Sequence, residues 1–304
     1  MIRRPPRSTL DRSSAASDVY KRQGFGEVLW DIYPEAKTLG GAPSNFAIHS
    51  QKLGANSFLI SCLGDDSLGK DAQTLLNDFD LNTSGIQVNK YFPTGRVVVN
   101  LDKMGNPSYK IDEESAWDHI IFDENMRNIC QFLDAMCFGT LAQRSSNSKR
   151  ALKKILDSTP LNCLKVFDVN FRQEFYNKEI IKLSLELADI VKMNQLEFYQ
   201  IANLVCISQE WKKGALSLIH EFDLKLVIIT LGENGSILAT KKDYIIHTPK
   251  NKFNVLSSVG AGDAYTASVV MGWLNKKPLN EIILEATNLA SHVCSFMGAI
   301  PSQD

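Results

Sequence analysis

The sequence predicts a single α/β domain, a central, mostly parallel sheet between helices, with a small β lid. Two observations carry this. From Gly24 onward, short apolar runs alternate with helical patterns of about 10–15 residues, as βαβ units require. Two stretches, 32–39 and 86–118, break that alternation and are assigned to the lid over the mouth of the sheet.

The elements follow in order. FGEVLWDI reads as a strand, and Ser44–Leu53 as a helix opened by Pro43-Ser44. NSFLISCLG is a buried strand, Lys70–Phe79 a helix, and GRVVVNLD a β-branched strand. AMCFG, LKVFDVN, ADIVKMN and KLVIITLG are further buried strands. Helical patterns over Asn147–Asp157, Lys178–Leu187 and Gln209–Glu221 separate them. GSILATKKDYIIHT reads as a hairpin turning near Lys241-Lys242, and two long helices close the chain. No repeat or interdomain linker interrupts residues 24–304, which are expected to form one domain.

Residues 1–23 are set apart. They hold six basic and two acidic residues, a net charge of +4, while the whole chain of 304 residues carries −1. They lack the apolar core of a secretory signal. Pro5-Pro6, Asp11 and Asp18 spoil an amphipathic transit helix. The string resembles translated sequencing-adapter read-through and is left out of the fold. The first strand is expected to lack its native residues before Gly24.

Composition narrows the function. With 33 Lys+Arg against 34 Asp+Glu, bulk electrostatics offer nothing to a nucleic acid. No apolar run approaches the ~18 residues of a membrane span, so no membrane partner is expected. Six scattered cysteines, without a CxxC pair, read as small buried hydrophobes of a reducing compartment, hence the cytoplasm. The five histidines show no HxH or HExxH spacing for zinc.

Two phosphate-like motifs fail on chemistry. Gly64–Asp71 nearly spells a P-loop, but Asp71 replaces the hydroxyl and Asp65-Asp66 would repel phosphate. Gly24-Phe25-Gly26 begins a dinucleotide fingerprint, but Leu29 stands at its third glycine. Ser258-Val-Gly-Ala-Gly-Asp263 is stronger. It precedes a helix that is apolar nearly all round, hence buried. The head of such a helix offers free N–H groups and a positive dipole end. Gly260 and Gly262 would let backbone approach a phosphate closely. Asp263 alone could be a helix cap. In conjunction with the loop, it reads as a catalytic carboxylate beside an anion hole. Gly40-Gly41-Ala-Pro-Ser-Asn45 reads either as a tight turn with a helix cap, or as a hinge presenting Asn45 to a small polar ligand.

Together these motifs resemble the ribokinase-like (PfkB) sugar kinases, from about Phe25 to Pro301. GGAPSN with LGDDSLGKD is similar to the family's first signature, and SSVGAGDAYTASVV to its second. GEVLWDIYP, YKIDEESAWDHI, FGTLAQRS, FDVNFRQEFY and MNQLEF are closest to bacterial-type fructokinases. The resemblance implies a three-layer α/β/α domain that phosphorylates a sugar's primary hydroxyl from ATP, with fructose the leading acceptor. Alternatives are a 2-keto-3-deoxygluconate kinase, a ribokinase, or a non-catalytic sugar-binding pseudokinase.

The resemblance also assigns roles. Asp263 stands at the general base, and Gly260, Ala261 and Gly262 at the anion hole. Asp31, Gly40, Gly41, Asn45, Asp168 and Arg172 stand on the sugar side. Asn194, Thr230, Gly232, Gly235 and Asn288 stand on the nucleotide side. Glu197, completing an NxxE element with Asn194, would organise Mg²⁺ through water. Where the family commonly has Asp-Thr before the loop, this chain has Ser257-Ser258. Ser257 lacks the charge that helps hold a monovalent cation, so K⁺ dependence is left open. The lid strands could also pair two copies into a homodimer, since an appended sheet exposes edges.

Overall fold

The structure is a computed structural model that describes residues 20–101, 107–249 and 255–301. The chain enters at β1 (Lys21–Phe25), leaves the main sheet for β2 (Leu29–Ile32) and β3 (Lys37–Gly40), then forms α1 (Ala42–Lys52). β4 (Asn56–Gly64), α2 (Ser67–Asp78) and β5 (Ile86–Asn89) follow. β6 (Gly95–Leu101) and β7 (Pro107–Ile111) form a pair ahead of α3 (Glu124–Cys130). β8 (Ala135–Phe138), α4 (Ser146–Ser158), β9 (Leu164–Asp168), α5 (Lys178–Leu187), β10 (Ile190–Asn194) and α6 (Gln195–Leu204) then alternate. α7 (Trp211–Phe222), β11 (Leu226–Thr230), β12 (Ser236–Ala239), β13 (Tyr244–His247), α8 (Ala261–Leu274) and α9 (Leu279–Cys294) complete the order.

Nine strands form the central sheet in the order β13-β12-β11-β10-β9-β8-β1-β4-β5. All neighbours run parallel except the terminal β11-β12-β13 meander. Adjacent residues of one strand feed opposite layers, as the two-residue period of a strand dictates. Phe138, Phe167, Val191 and Ile229 pack under α4–α7. Their neighbours Cys137, Val166, Ile190 and Ile228 pack with Tyr265 and Val269 of α8 and Ile282 of α9. This is the three-layer architecture expected. α8 is buried from Asp263 through Val270 and lies against both α1 and α9, which explains its apolar circumference.

A second sheet, in the order β3-β2-β6-β7, forms the lid. Two boundaries differ from expectation. FGEVLWDI is not one strand: Gly26 adopts φ +139°, where a Cβ would meet Pro43 Cγ at 2.9 Å. The chain turns there and passes from the central sheet into the lid. Residues 86–89 belong to the edge of the central sheet beside β4, not to the lid.

The break placed at residue 23 also falls inside an element. Lys21, Arg22 and Gln23 pair in register with Asn56, Ser57 and Phe58 of β4. Residues 1–19 lie outside the described residues. Arg22 and Gln23 are fully buried, and among the described residues the side-chain nitrogens of Arg22 and both polar atoms of Gln23 have no hydrogen-bond partner. Four cysteines are buried, whereas Cys206 is exposed and Cys294 half-buried. Among the described residues no helix is long and apolar enough to cross a membrane.

Candidate active site

The head of α8, the first turn of α1 and the inner face of the lid enclose a cavity of about 1570 Å³. It lies beyond the carboxyl ends of the parallel strands, where open α/β sheets bind ligands. Asp263 lines it from the first turn of α8 and is 8% exposed. Asn45 Nδ2 donates to Asp263 Oδ2 at 2.8 Å. Burial and the nearby Asp168 raise the Asp263 carboxyl to about 6, against the pull of Lys192, Asn45 and Arg172.

The loop ahead of Asp263 is shaped by its glycines. Gly260 has φ +77°, and a Cβ there would lie 2.5 Å from Ala299 Cα. A Cβ on Gly262 would lie 2.9 Å from Lys192 Nζ. Ala261 N–H donates to Ser258 O at 3.4 Å. The next N–H groups, of Gly262 and Asp263, belong to the helix turn that has no intrahelical acceptors. They can receive an anion.

On the side where the sugar is expected, Asp31 projects from β2 and lines the cavity with Gly40, Gly41, Asn45 and Arg172. Gly40 leaves room for the acid, because a Cβ there would meet Asp31 Oδ2 at 2.6 Å. Gly41 has φ +108°, and its Cβ would strike the Glu27 carbonyl at 2.3 Å. Ser44 Oγ donates to the carbonyls of Gly40 and Gly41 at 2.9 and 2.8 Å, fixing the turn. Burial raises Asp31 to about 6, and Arg172 opposes this. Arg172 is exposed, and among the described residues it forms no ion pair.

On the opposite side the cavity is lined by Asn194, Thr230, Gly232 and Gly235. Gly235 has φ +97° and no room for a Cβ, which would fall 1.8 Å from His247 O. Three expected residues are placed elsewhere. Asn288 is exposed and off the cavity, whose wall on α9 is Thr287, Ala290, Ser291 and Cys294. Those positions share one helical face, and Asn288 sits one residue out of phase. Asp168 is buried behind the cavity, taking Lys192 Nζ at 3.0 Å and Thr266 Oγ1 at 2.9 Å. Glu197 does not line the cavity either. Its oxygens accept the N–H groups of Asn194 (2.7 Å) and Phe171 (3.1 Å). It therefore fixes the ends of β9 and β10 relative to each other.

Two cavity residues escaped sequence reasoning. Lys192 is 3% exposed and Glu27 5%. Each is a lone charge inside an apolar run, VKM and GEV, and that mismatch was the available signal. Both line the cavity.

The model of the pfkB family carbohydrate kinases matches residues 18–304. The chain is a pfkB family carbohydrate kinase. A Pyrococcus horikoshii relative named only as a sugar kinase is 30% identical to it over 258 residues, 83% of this chain and 78% of the relative. A Salmonella typhimurium fructokinase is 24% identical over 286 residues, 90% of the kinase and 91% of the relative. The crystal structure of Vibrio cholerae fructokinase with fructose, ADP and calcium overlays with a TM-score of 0.78 at 22% identity, covering 92% of this chain and 94% of that one.

Proposed function

We propose that this kinase transfers the γ-phosphoryl group of ATP to the primary hydroxyl of D-fructose, giving fructose 6-phosphate. The observation that carries the reading is Asp263, held by Asn45 beside the Gly260–Gly262 loop, in a cavity lined by the Asp31 carboxyl. The relatives named fructokinase support the choice of sugar. An uncharacterized Pyrococcus horikoshii sugar kinase of the same fold, solved with ATP, supports the choice of donor.

The carboxylate of Asp263 accepts the hydroxyl proton as the sugar oxygen attacks the γ-phosphorus. The bond from that phosphorus to the β–γ bridging oxygen breaks, and ADP leaves with the electron pair. The N–H groups of Gly262 and Asp263 stabilise charge on the transferring group; one such donor is worth about 10²–10³ in rate. Asp31 and Asn45 hold the sugar, and Thr230, Gly232 and Gly235 hold the nucleotide. Mg²⁺ would enter as a companion of the triphosphate and keep mostly water and phosphate oxygens. Of the expected NxxE pair Asn194 lines the cavity, whereas Glu197, taken up by the N–H groups of Asn194 and Phe171, does not hold it. When bound, it neutralises charge on the phosphate oxygens. The chain acts in the cytoplasm in this reading.

Arg172 favours a second reading. An exposed guanidinium on the sugar side suits a carboxylate-bearing acceptor such as 2-keto-3-deoxygluconate. ADP release with Mg-ATP across fructose, ribose, glucose and 2-keto-3-deoxygluconate, beside Asp263→Ala, separates the two. Turnover chiefly with fructose, lost in the variant, is the expected result. Turnover chiefly with the sugar acid overturns the fructose assignment.

A further inference from the structure

The cavity holds a carboxyl that the proposed chemistry leaves idle. Glu27 lies between the end of β1 and the start of β2, where the chain turns out of the central sheet after Gly26. Its Oε2 is buried and, among the described residues, has no hydrogen-bond partner. The residue nevertheless lines the cavity with Asp31, Gly41, Asn45 and Asp263. A buried polar atom without a partner is rare, because its desolvation is uncompensated. A strand end could have placed a leucine here without that penalty. The backbone N–H groups of Glu27 and Ala42 stabilise its charged form only in part, and Arg172 and Asp263 act on it from across the cavity.

We infer that Glu27 is a specificity-determining residue for the acceptor, its unpartnered Oε2 binding one sugar hydroxyl other than the one phosphorylated. This rests on the sugar-kinase reading above. The position follows from its neighbours. Asp263 must face the reacting hydroxyl, and Asp31 stands on the same wall two pleats along β2 from the turn. Glu27, at the turn itself beside Gly41, meets a hydroxyl of the sugar body. An acceptor lacking that hydroxyl leaves the carboxyl unpaired and is rejected strongly; a site built around a hydrogen bond discriminates far better than an apolar wall.

The test is a cycle of variants against monodeoxy analogues of whichever sugar the wild type turns over best. The variants are Glu27→Ala and Glu27→Gln. The expected result is a rise of about 10-fold or more in the sugar KM for Glu27→Ala, with the ATP KM within about twofold. One monodeoxy analogue, poor for the wild type by about 10²-fold, becomes nearly equal to the parent sugar in the variant. Asp31→Asn gives the same pattern at a different hydroxyl.

If the penalties of all analogues are the same in wild type and both variants, Glu27 touches no hydroxyl and the inference is overturned. The same holds if the KM values for sugar and ATP rise together. Glu27→Gln keeps size and shape, so the cycle remains readable should the alanine variant fail to fold. The identity of the best sugar tests the fructose reading alone. Should no sugar turn over, calorimetric titration of fructose and its deoxy analogues onto the same variants reads the pattern in Kd. No deoxy-specific difference there overturns the inference.

Discussion

Asn45 and Asp263, 218 residues apart in sequence, are joined by a 2.8 Å hydrogen bond inside the cavity. The bond ties the first turn of α1 to the first turn of α8. Each turn follows a glycine with positive φ, Gly41 and Gly260. One turn carries the residues expected to hold the sugar and the other the glycine loop, so in the proposed reaction this contact sets the distance between acceptor and donor.

Removing either partner should therefore impair the reaction differently. Asp263→Asn is expected to lower kcat by about 10²–10⁴, the usual worth of a general base. Asn45→Ala removes a donor to a buried carboxylate, a loss of about 1.5–3 kcal/mol. That corresponds to about 10–100-fold in kcat/KM. Steady-state kinetics on both variants checks this. An Asn45→Ala enzyme with unchanged kcat/KM would show that the bond does not position the base.

The acid limb of the rate profile follows from burial. Desolvation, and then Asp168, hold Asp263 at about 6. The base must be deprotonated to act, so kcat/KM should rise with pH through about 6 and level off above it. Lys192 opposes that shift, since its ammonium lies between Asp168 and the Asp263 loop. Lys192→Met withdraws the cation, which favours the protonated carboxyl. The limb is then expected to move to higher pH, and kcat at high pH to fall less than at pH 6. A pH–rate profile whose limb does not move would assign Lys192 a purely structural role.

Much of the fold was legible because its strands are buried on both faces. NSFLISCLG coincides with β4, and Lys178–Leu187 with α5, since each begins and ends where apolar spacing does. α6 was missed because Asn194 ends β10 and caps the helix at once, leaving no linker to read. FGEVLWDI hid its break because both halves are apolar and only Gly26 marks the turn. At the site, the glycine loop and Asp263 were legible from local chemistry. Asn288 was misplaced by helical phase, and Asp168 by a partner, Lys192, that only the sheet brings beside it. Glu27 left one signal, a lone acid in an apolar run, but its place on the cavity wall depends on the turn at Gly26 and on the neighbours the fold brings opposite it.

Gly260 should tolerate no side chain. Its φ of +77° is left-handed, and a Cβ would sit 2.5 Å from both Cα and Cβ of Ala299. Gly260→Ala must therefore either push away the chain after Gly298 or turn the anion loop. The second response misaims the N–H groups of Gly262 and Asp263. A fall of about 10²-fold or more in kcat is expected, the worth of one anion-hole donor, with the sugar KM little changed. Retained kcat would show that the 299–301 segment yields instead, which His49 Nε2 and Lys52 Nζ hold through the Ala299 and Pro301 carbonyls at 3.0 and 2.8 Å.

The first strand should be improvable. β1 is flanked by β4 and β8, so Arg22 and Gln23 have no route to water. Arg22 keeps only weak compensation, the Tyr20 ring at 5.1 Å and the charge of Asp134. Asp134 Oδ2 is itself occupied by the Lys21 N–H at 2.7 Å. Burial lowers the Arg22 guanidinium to about 10, so it remains charged at neutral pH. Each unpaired buried group costs about 1–3 kcal/mol, whereas an apolar residue of similar size leaves nothing unpaired. Arg22→Leu and Gln23→Val should each raise stability, by about 2–4 °C in Tm per kcal/mol for a chain of this order of size. Thermal melts with urea titrations check the gain and its additivity. A lower Tm in Arg22→Leu would mean that Tyr20 and Asp134 hold the cation better than its orphaned nitrogens suggest.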